Sequence, residues 1–194
     1  EVVVFPKNVE DVKNLVKFVA KKKKTDKKIS LTARAAGTDM TGGDLSESIV
    51  VDMTAHFNQI HQVEKDFAVV DPGVFYRDLD KETARRDVVM PAYPASREIC
   101  TVGGMVANNS GGEKTLSYGK INKYVLELNV VLSDGNEYVI KPLNKAELEE
   151  KMKLENFEGK LYKGLYELLT RNSELIANQK PKVTKNSAGY YLWD

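Results

Sequence analysis

Apolar positions follow two rhythms along the chain and separate strand-like from helix-like stretches. Val2-Val3-Val4-Phe5 has the length of a buried strand, and Pro6 ends it because proline has no N–H to give to a ladder. Asn8 then caps a predicted helix in which Val9, Val12, Leu15, Val16 and Val19 recur at helical spacing. Ile29 to Thr32 and Ile49 to Asp52 are short apolar strands, separated by a loop of small residues from Arg34 to Gly43. Ile60 to Val63 and Phe67 to Asp71 alternate around the polar turn Glu64-Lys65-Asp66, which predicts a hairpin ended by Pro72-Gly73. Phe75 to Arg86 is a predicted helix with Leu79 inward. Val125 to Leu132, the turn Ser133-Asp134-Gly135-Asn136 and Tyr138 to Ile140 predict a second hairpin. Beyond Pro142 the pattern becomes helical, with Leu148, Met152, Leu161, Leu165, Leu168 and Leu169 on a Lys- and Glu-rich background to about Asn178.

Composition narrows what such a chain does. With 194 residues and 42% apolar residues it has enough material for a hydrophobic core without disulfides or a structural metal. The 29 basic and 28 acidic residues leave a net charge of +1, so the chain as a whole presents no field suited to nucleic acid or anionic lipid. The lysines at 21–24, 27 and 28 fall where the first helix ends, and cations suit a helix C-terminus, so they read as a solvated helix end. Cys100 is the single cysteine, which fits a reducing compartment, and with only His56 and His61 beside it metal chemistry is not expected. No apolar run approaches the roughly 20 residues of a membrane span, and a cytoplasmic location is expected, with a peripheral place at a membrane as the alternative. The opening in a strand-like run without Met, and the close on Gly189-Tyr190-Tyr191-Leu192-Trp193-Asp194, suggest a piece of a longer protein.

The glycines carry the first hint of chemistry. Nine of 13 lie between Gly37 and Gly119, clustered as Gly37, Gly42-Gly43, Gly73, Gly103-Gly104, Gly111-Gly112 and Gly119. Glycine loses the most backbone entropy on folding, so repeated loop glycines signal left-handed turns or a backbone pressed against a ligand, and consecutive loop N–H groups form anion nests. Neither a P-loop nor a G-x-G-x-x-G motif is present. In the stretch from Cys100 to Gly112, small residues, Asn108, Asn109 and Ser110 accompany an apolar run without a single charged residue. That suits a large, flat ligand met by backbone and amide groups, whereas hydrolytic acid–base chemistry would place His, Asp or Glu there.

In order and spacing, the Arg34 to Gly43 loop, Ile49-Val50-Val51-Asp52-Met53, Val70-Asp71-Pro72-Gly73-Val74, Thr101 to Gly112 and Tyr118-Gly119 resemble one family. It is the FAD-binding (PCMH-type) domain of the vanillyl-alcohol-oxidase-type flavoproteins, nearest the glycolate oxidase and D-lactate dehydrogenase branch. The resemblance runs from Val2 to the Lys185-Asn186-Ser187-Ala188-Gly189-Tyr190 segment. It implies an α+β fold of two subdomains, about 1–54 and 55–194, one with a small parallel-containing sheet and the other with a larger mixed or antiparallel sheet flanked by helices. FAD would lie between them. The resemblance also implies that Ala36, Gly37, Thr38, Asp39, Gly42 and Gly43 wrap the FAD pyrophosphate, and that Pro72 and Gly73 pack near the adenosine half. Pro94, Ser96, Thr101, Gly103, Gly104, Asn108, Ser110 and Gly111 would follow the pyrophosphate, ribityl chain and flavin, with Tyr118, Gly119 and Ile121 closing the loop.

The sequence departs from the family at Ala35 and Ala36, where the usual loop has small or glycine positions, so the turn must keep positive φ away from these alanines. No His lies in the first loop, and Cys100 reads as a small packed residue, so non-covalent FAD is expected. By resemblance, the parent would oxidise a small 2-hydroxy acid by hydride transfer to flavin N5. A C-terminal cap domain, absent from this chain, would bind the substrate and take its proton. No catalytic or metal-binding residue is therefore assigned here, the fragment alone is expected to be inactive, and an iron–sulfur or other acceptor protein is an expected partner. The alternatives are the same fold in an alkylglycerone-phosphate-synthase-like or enolpyruvyl-reductase-like enzyme, or a non-catalytic flavin-binding subunit of an electron-transfer complex.

Overall fold

The computed structural model describes residues 2–183, 186 and 189–193; of the Lys185 to Tyr190 segment, Lys185, Ser187 and Ala188 lie outside the described residues. Two compact units emerge, Glu1–Val125 with Val131–Glu137, and Leu126–Val130 with Tyr138–Asp194.

The first unit begins with β1 (Val2–Val4), α1 (Val9–Lys22), β2 (Leu31–Arg34) and β3 (Ile49–Asp52). The three strands make a parallel sheet in the order β1-β3-β2, with Val50 and Val51 of the central strand buried. Asn8 caps α1 as expected, its side chain accepting from the Asp11 N–H at 3.0 Å. Acidic residues in the first turn and lysines in the last suit the helix dipole. Strand β2 starts two residues later than the apolar run suggested. Its register is set by β3, where Leu31 faces Ile49, and the Ser30 N–H is taken by Ser48 Oγ at 2.9 Å.

The hairpin predicted next forms as β4 (Ile60–Val63) and β5 (Ala68–Val70), antiparallel, with an irregularity between Ile60 and Gln62. It packs with the following helix α2 (Tyr76–Ala84) around a small core of Val63, Val74 and Leu79. A second core gathers Tyr76, Ala92, Tyr93, Cys100, Met105 and Ile121. The Tyr76 hydroxyl donates to the Met90 carbonyl at 2.7 Å, and burial holds its proton well above the usual phenol range. Two short helices, α3 (Val102–Ala107) and α4 (Thr115–Tyr118), and a 3-10 turn at Ile121–Lys123 complete the glycine-rich stretch.

The second hairpin is β6 (Leu128–Val131) with β7 (Glu137–Ile140), turning at Gly135 with φ +74°. Thus, beyond the parallel sheet, the described strands pair as two separate two-stranded ribbons. The second unit is otherwise helical, with α5 (Lys145–Lys153), α6 (Phe157–Arg171) and α7 (Ser173–Gln179). Asn144 and Glu147 form a capping box on α5, and Gly159 lets α6 approach the Leu154 carbonyl. Lys151 pairs with the buried Glu158, which satisfies a carboxylate that would otherwise be costly to bury. No helix among the described residues is long and apolar enough to cross a membrane.

Candidate functional site

Strand β2 delivers its last residue, Arg34, to the mouth of the small-residue loop, where the guanidinium pairs with Asp44 across the loop base. The Arg34 carbonyl accepts from Met53 N–H at 3.0 Å, which ties the loop to the end of β3. Positive φ falls at Gly37 (+67°) and Gly42 (+76°), so the turn places its left-handed residues on glycines and leaves Ala35 and Ala36 unstrained. The backbone N–H groups of Ala36, Gly37 and Thr38 find no acceptor among the described residues. Unpaired consecutive N–H groups in a turn are the donors of an anion nest. Asp39 turns back into the loop: its carboxylate accepts from the Thr41 hydroxyl, the Thr41 N–H at 3.2 Å and the Gly43 N–H at 3.1 Å. These donors, the Thr41 hydroxyl foremost, hold the carboxyl below the usual aspartate range. The Gly43 N–H is thereby spent internally.

The second segment is built on α3. Phe75 and Thr101 form an isolated antiparallel bridge, and Tyr76 N–H donates to the Cys100 carbonyl at 3.0 Å, so the start of α2 and the start of α3 are locked together. Val102 and Gly103 donate their N–H groups to Val74 and Pro72 carbonyls at 2.9 and 2.8 Å. A Cβ on Gly103 would sit 2.5 Å from Pro72 Cβ, so this glycine exists for close packing. Its neighbour differs. A Cβ on Gly104 would meet only Ala35 Cβ at 3.5 Å and Thr101 Oγ1 at 3.6 Å, ordinary contacts that leave room beside the helix.

Thr101 sits at the N-cap of α3 yet does not cap it, and its hydroxyl, on a side chain only 1% exposed, has no partner. A buried hydroxyl without a hydrogen bond costs on the order of 1–3 kcal/mol, so the arrangement asks for an external group. Ala35, Thr101 and Gly104 therefore bring the first loop and α3 to one cradle.

The rest of the segment is fixed by its own hydrogen bonds and close contacts. Asn108 ends α3, its N–H donating to the Gly104 carbonyl at 3.1 Å, and Asn109 takes a positive φ of 43° while its side chain accepts from Asn122 N–H at 3.1 Å. Ser110 gives its N–H to Met105 and accepts from Ile121 N–H at 2.9 Å. Gly111 lies against Thr115 and the buried Lys120, and the Thr115 hydroxyl is a second unpartnered buried oxygen. Gly112 presses on the Tyr93 carbonyl and on Pro94, while Gly73 presses on the Met53 and Phe57 carbonyls. The Ser96 carbonyl accepts from Ile99 and Cys100 N–H groups, both at 2.9 Å. Burial raises the pKa of the Cys100 thiol, in keeping with a packed side chain rather than a nucleophile. Tyr118 is half exposed, Gly119 turns at φ +79°, and Ile121 puts its side chain into the core and its N–H onto Ser110.

From the sequence Ala35 was noted only as a departure from the family loop, not as a site residue, and Thr115 was not singled out. Alanine beside a glycine loop and threonine in a charged stretch carry no local signal; only the tertiary fold shows what they face.

Comparisons with known proteins bear on the family and the fold. The family described as FAD binding domain matches residues 1–141. The chain is 36% identical over 137 residues to D-lactate dehydrogenase of Archaeoglobus fulgidus, covering 69% of this chain and 29% of that protein. It is 29% identical over 191 residues to D-2-hydroxyglutarate dehydrogenase of Pseudomonas putida, covering 97% and 19% respectively. The chain thus spans less than a third of the length of these relatives. Among solved structures, 6-hydroxy-D-nicotine oxidase from Arthrobacter nicotinovorans shares the fold, with a TM-score of 0.62 at 22% identity over 75% of this chain and 31% of that one.

Proposed function

The chain belongs to the FAD-binding domain family, and from that premise we propose that it is the cofactor-holding portion of a flavin-dependent oxidoreductase that oxidises a small 2-hydroxy acid. The observation that carries the cofactor part is the cradle, in which the buried Thr101 hydroxyl lacks a partner and the space beside Gly104 is open. The substrate class rests on the relatives, which include a D-lactate and a D-2-hydroxyglutarate dehydrogenase.

When bound, FAD supplies the hydride-accepting chemistry. This chain's residues hold and orient it. The free N–H groups of Ala36, Gly37 and Thr38 donate to the pyrophosphate, with Asp39, Gly42 and Gly43 shaping the loop around it. The Arg34–Asp44 pair keeps that loop closed on its own base. Thr101 Oγ1 donates to or accepts from the cofactor, Gly104 lets a flat group approach the helix backbone, and Pro94, Ser96, Gly103, Asn108, Ser110 and Gly111 continue the wall. Pro72 and Gly73 back the adenosine half, and Tyr118, Gly119 and Ile121 close the far end. In this reading the halves 1–54 and 55–194 each contribute one wall, the flavin is non-covalent, and the groups that take the substrate's carboxylate and hydroxyl proton come from outside this chain. An electron-acceptor protein and a cytoplasmic location belong to the same reading.

The test is the visible spectrum of the intact protein after desalting, followed by acid precipitation and anaerobic mixing with D-lactate, glycolate and D-2-hydroxyglutarate. A flavin band that moves to the supernatant on precipitation, and bleaches with at least one hydroxy acid, is expected. A colourless intact protein that does not take up added FAD overturns the reading, and a band that none of the acids bleaches removes the substrate class.

A further inference from the structure

The solvated reading of the lysine run overlooks how unevenly the charge is distributed. Between residues 13 and 28 there are eight lysines and one aspartate, a local charge of +7, so the remainder of a chain whose total is +1 carries −6. Lys13 alone of the eight has a carboxylate partner, Glu10 at 2.6 Å; the other seven have none among the described residues. Lys21 to Lys28 are all exposed. Such a cluster repels itself and gathers counterions that a polyanionic partner would release.

The lysines also surround something apolar. A groove of about 450 Å³ at the end of α1 is lined by Val16, Val19 and Leu31 together with Lys23, Lys24 and Lys27. On the helix itself Phe18, 47% exposed, stands next to Lys17 and one turn before Lys21 and Lys22. Basic heads around an apolar floor match the boundary layer of an anionic bilayer, where lysines meet phosphates; Phe18 stands on the opposite face of α1 and is not part of that floor.

Position separates this partner from an acidic electron acceptor. Lys27 and Lys28 lie before the start of β2, and the Ala35 to Gly43 loop follows its end, so the strand, about 13 Å long for four residues, stands between the patch and the cofactor loop. A partner docked on the patch is at the wrong end of the sheet for close approach to the loop, whereas an anchor there leaves the loop free. Nucleic acid is the weaker match because Phe18 is the single aromatic residue between 13 and 28 available for stacking.

We infer that the C-terminal end of α1, with Lys17, Lys21–Lys24, Lys27 and Lys28 around the Val16, Val19 and Leu31 groove, is a docking surface for an anionic phospholipid membrane. The inference does not depend on the cofactor reading.

Co-sedimentation of the intact protein with vesicles tests it, using phosphatidylcholine alone and phosphatidylcholine mixed with phosphatidylglycerol, at low and high salt. Binding to the mixed vesicles alone, lost at high salt, is expected. Each lysine near the surface contributes roughly fivefold to partition, so the combined Lys21→Glu, Lys22→Glu, Lys24→Glu and Lys27→Glu variant should lose at least about a hundredfold. The matching Lys→Gln variant should lose less, and reversal of Lys153, Lys160 and Lys163 should change little. Circular dichroism establishes that the variants are folded, and the salt dependence of the unmodified protein stands apart from any folding defect. Equal binding to both vesicles, binding to neither, or equal losses in patch and control variants overturns the inference.

Discussion

The loop from Ala35 to Gly43 and the segment from Thr101 to Gly112 are both rich in glycine, but their glycines are confined by different things. In the segment, Gly103 and Gly112 abut backbone and proline atoms, namely Pro72 and the Tyr93 carbonyl. In the loop, Gly37 meets the side-chain ends of Arg34 and Asp44, Gly43 meets the Asp39 carboxylate, and Gly42 meets only Leu45 Cδ1 at 3.6 Å. Backbone does not yield, whereas side-chain ends swing. The segment is a fixed floor, and the loop is a wall shaped by an ion pair and an aspartate turn. Two glycines of the segment depart from this: Gly111 is confined by the Thr115 and Lys120 side chains, and nothing in the protein requires Gly104 to be glycine.

The strongest way to break this contrast is to substitute the adjacent pair separately. Gly103→Ala drives a methyl into Pro72, 2.5 Å away, and should cost about 3 kcal/mol by overpacking, less roughly 1 kcal/mol from the better helix propensity. Urea denaturation checks it, and a variant as stable as the parent would show that the floor moves. Gly104→Val should leave stability within about 1 kcal/mol, because helix propensities of glycine and valine are close and the site is open. The same change should lower FAD affinity at least about a hundredfold, equivalent to roughly 2.7 kcal/mol. Unaltered flavin occupancy would take α3 out of the site.

The wall should respond more mildly. Gly37→Ala forces an L residue to φ +67° and displaces the Arg34–Asp44 pair, and should cost about 1 kcal/mol. Because Arg34 can move aside, the loss should appear chiefly as the backbone term, visible as a lowered thermal midpoint. A loss as large as that of Gly103→Ala would mean the ion pair is as rigid as backbone, and would erase the distinction between the two regions.

What was legible in the sequence follows the same division. The periodic elements were readable because burial writes a pattern: the valines of α1, the β4–β5 alternation and the Ser133 to Asn136 turn are all where the pattern put them. Glycine clusters marked both regions, yet could not say which glycine serves packing and which serves a ligand. Gly103 and Gly104 are identical in sequence context and opposite in reason. The helix α3 was also illegible, since Val-Gly-Gly-Met-Val-Ala has little helical propensity and forms because Val102 and Gly103 hydrogen-bond back to Val74 and Pro72. The sequence marked Ala35 only as a departure from the family loop; the fold set it 3.5 Å from the position a Gly104 Cβ would take.

Thr101 gives the smallest effect and the sharpest test, because stability and binding should move in opposite directions. Its hydroxyl is buried without a partner, so Thr101→Val replaces an unsatisfied oxygen with a methyl of similar volume. Removing an unpaired buried polar group stabilises by about 1 kcal/mol, and the ligand-free protein should melt slightly higher. If FAD completes that hydroxyl, the variant should bind it about tenfold more weakly, the equivalent of one hydrogen bond to a charged or strongly polar group. Thr101→Ser keeps the oxygen and should restore most of the affinity, provided the smaller side chain holds the same rotamer. A Thr101→Val protein that melts higher and binds FAD as tightly as its parent would leave the orphan oxygen as a packing defect, and the cradle would then rest on Gly104 alone. Loss of stability in the ligand-free variant would instead show that the hydroxyl has an internal partner, such as a water bridge, and that the floor beneath the cofactor is satisfied before any ligand arrives.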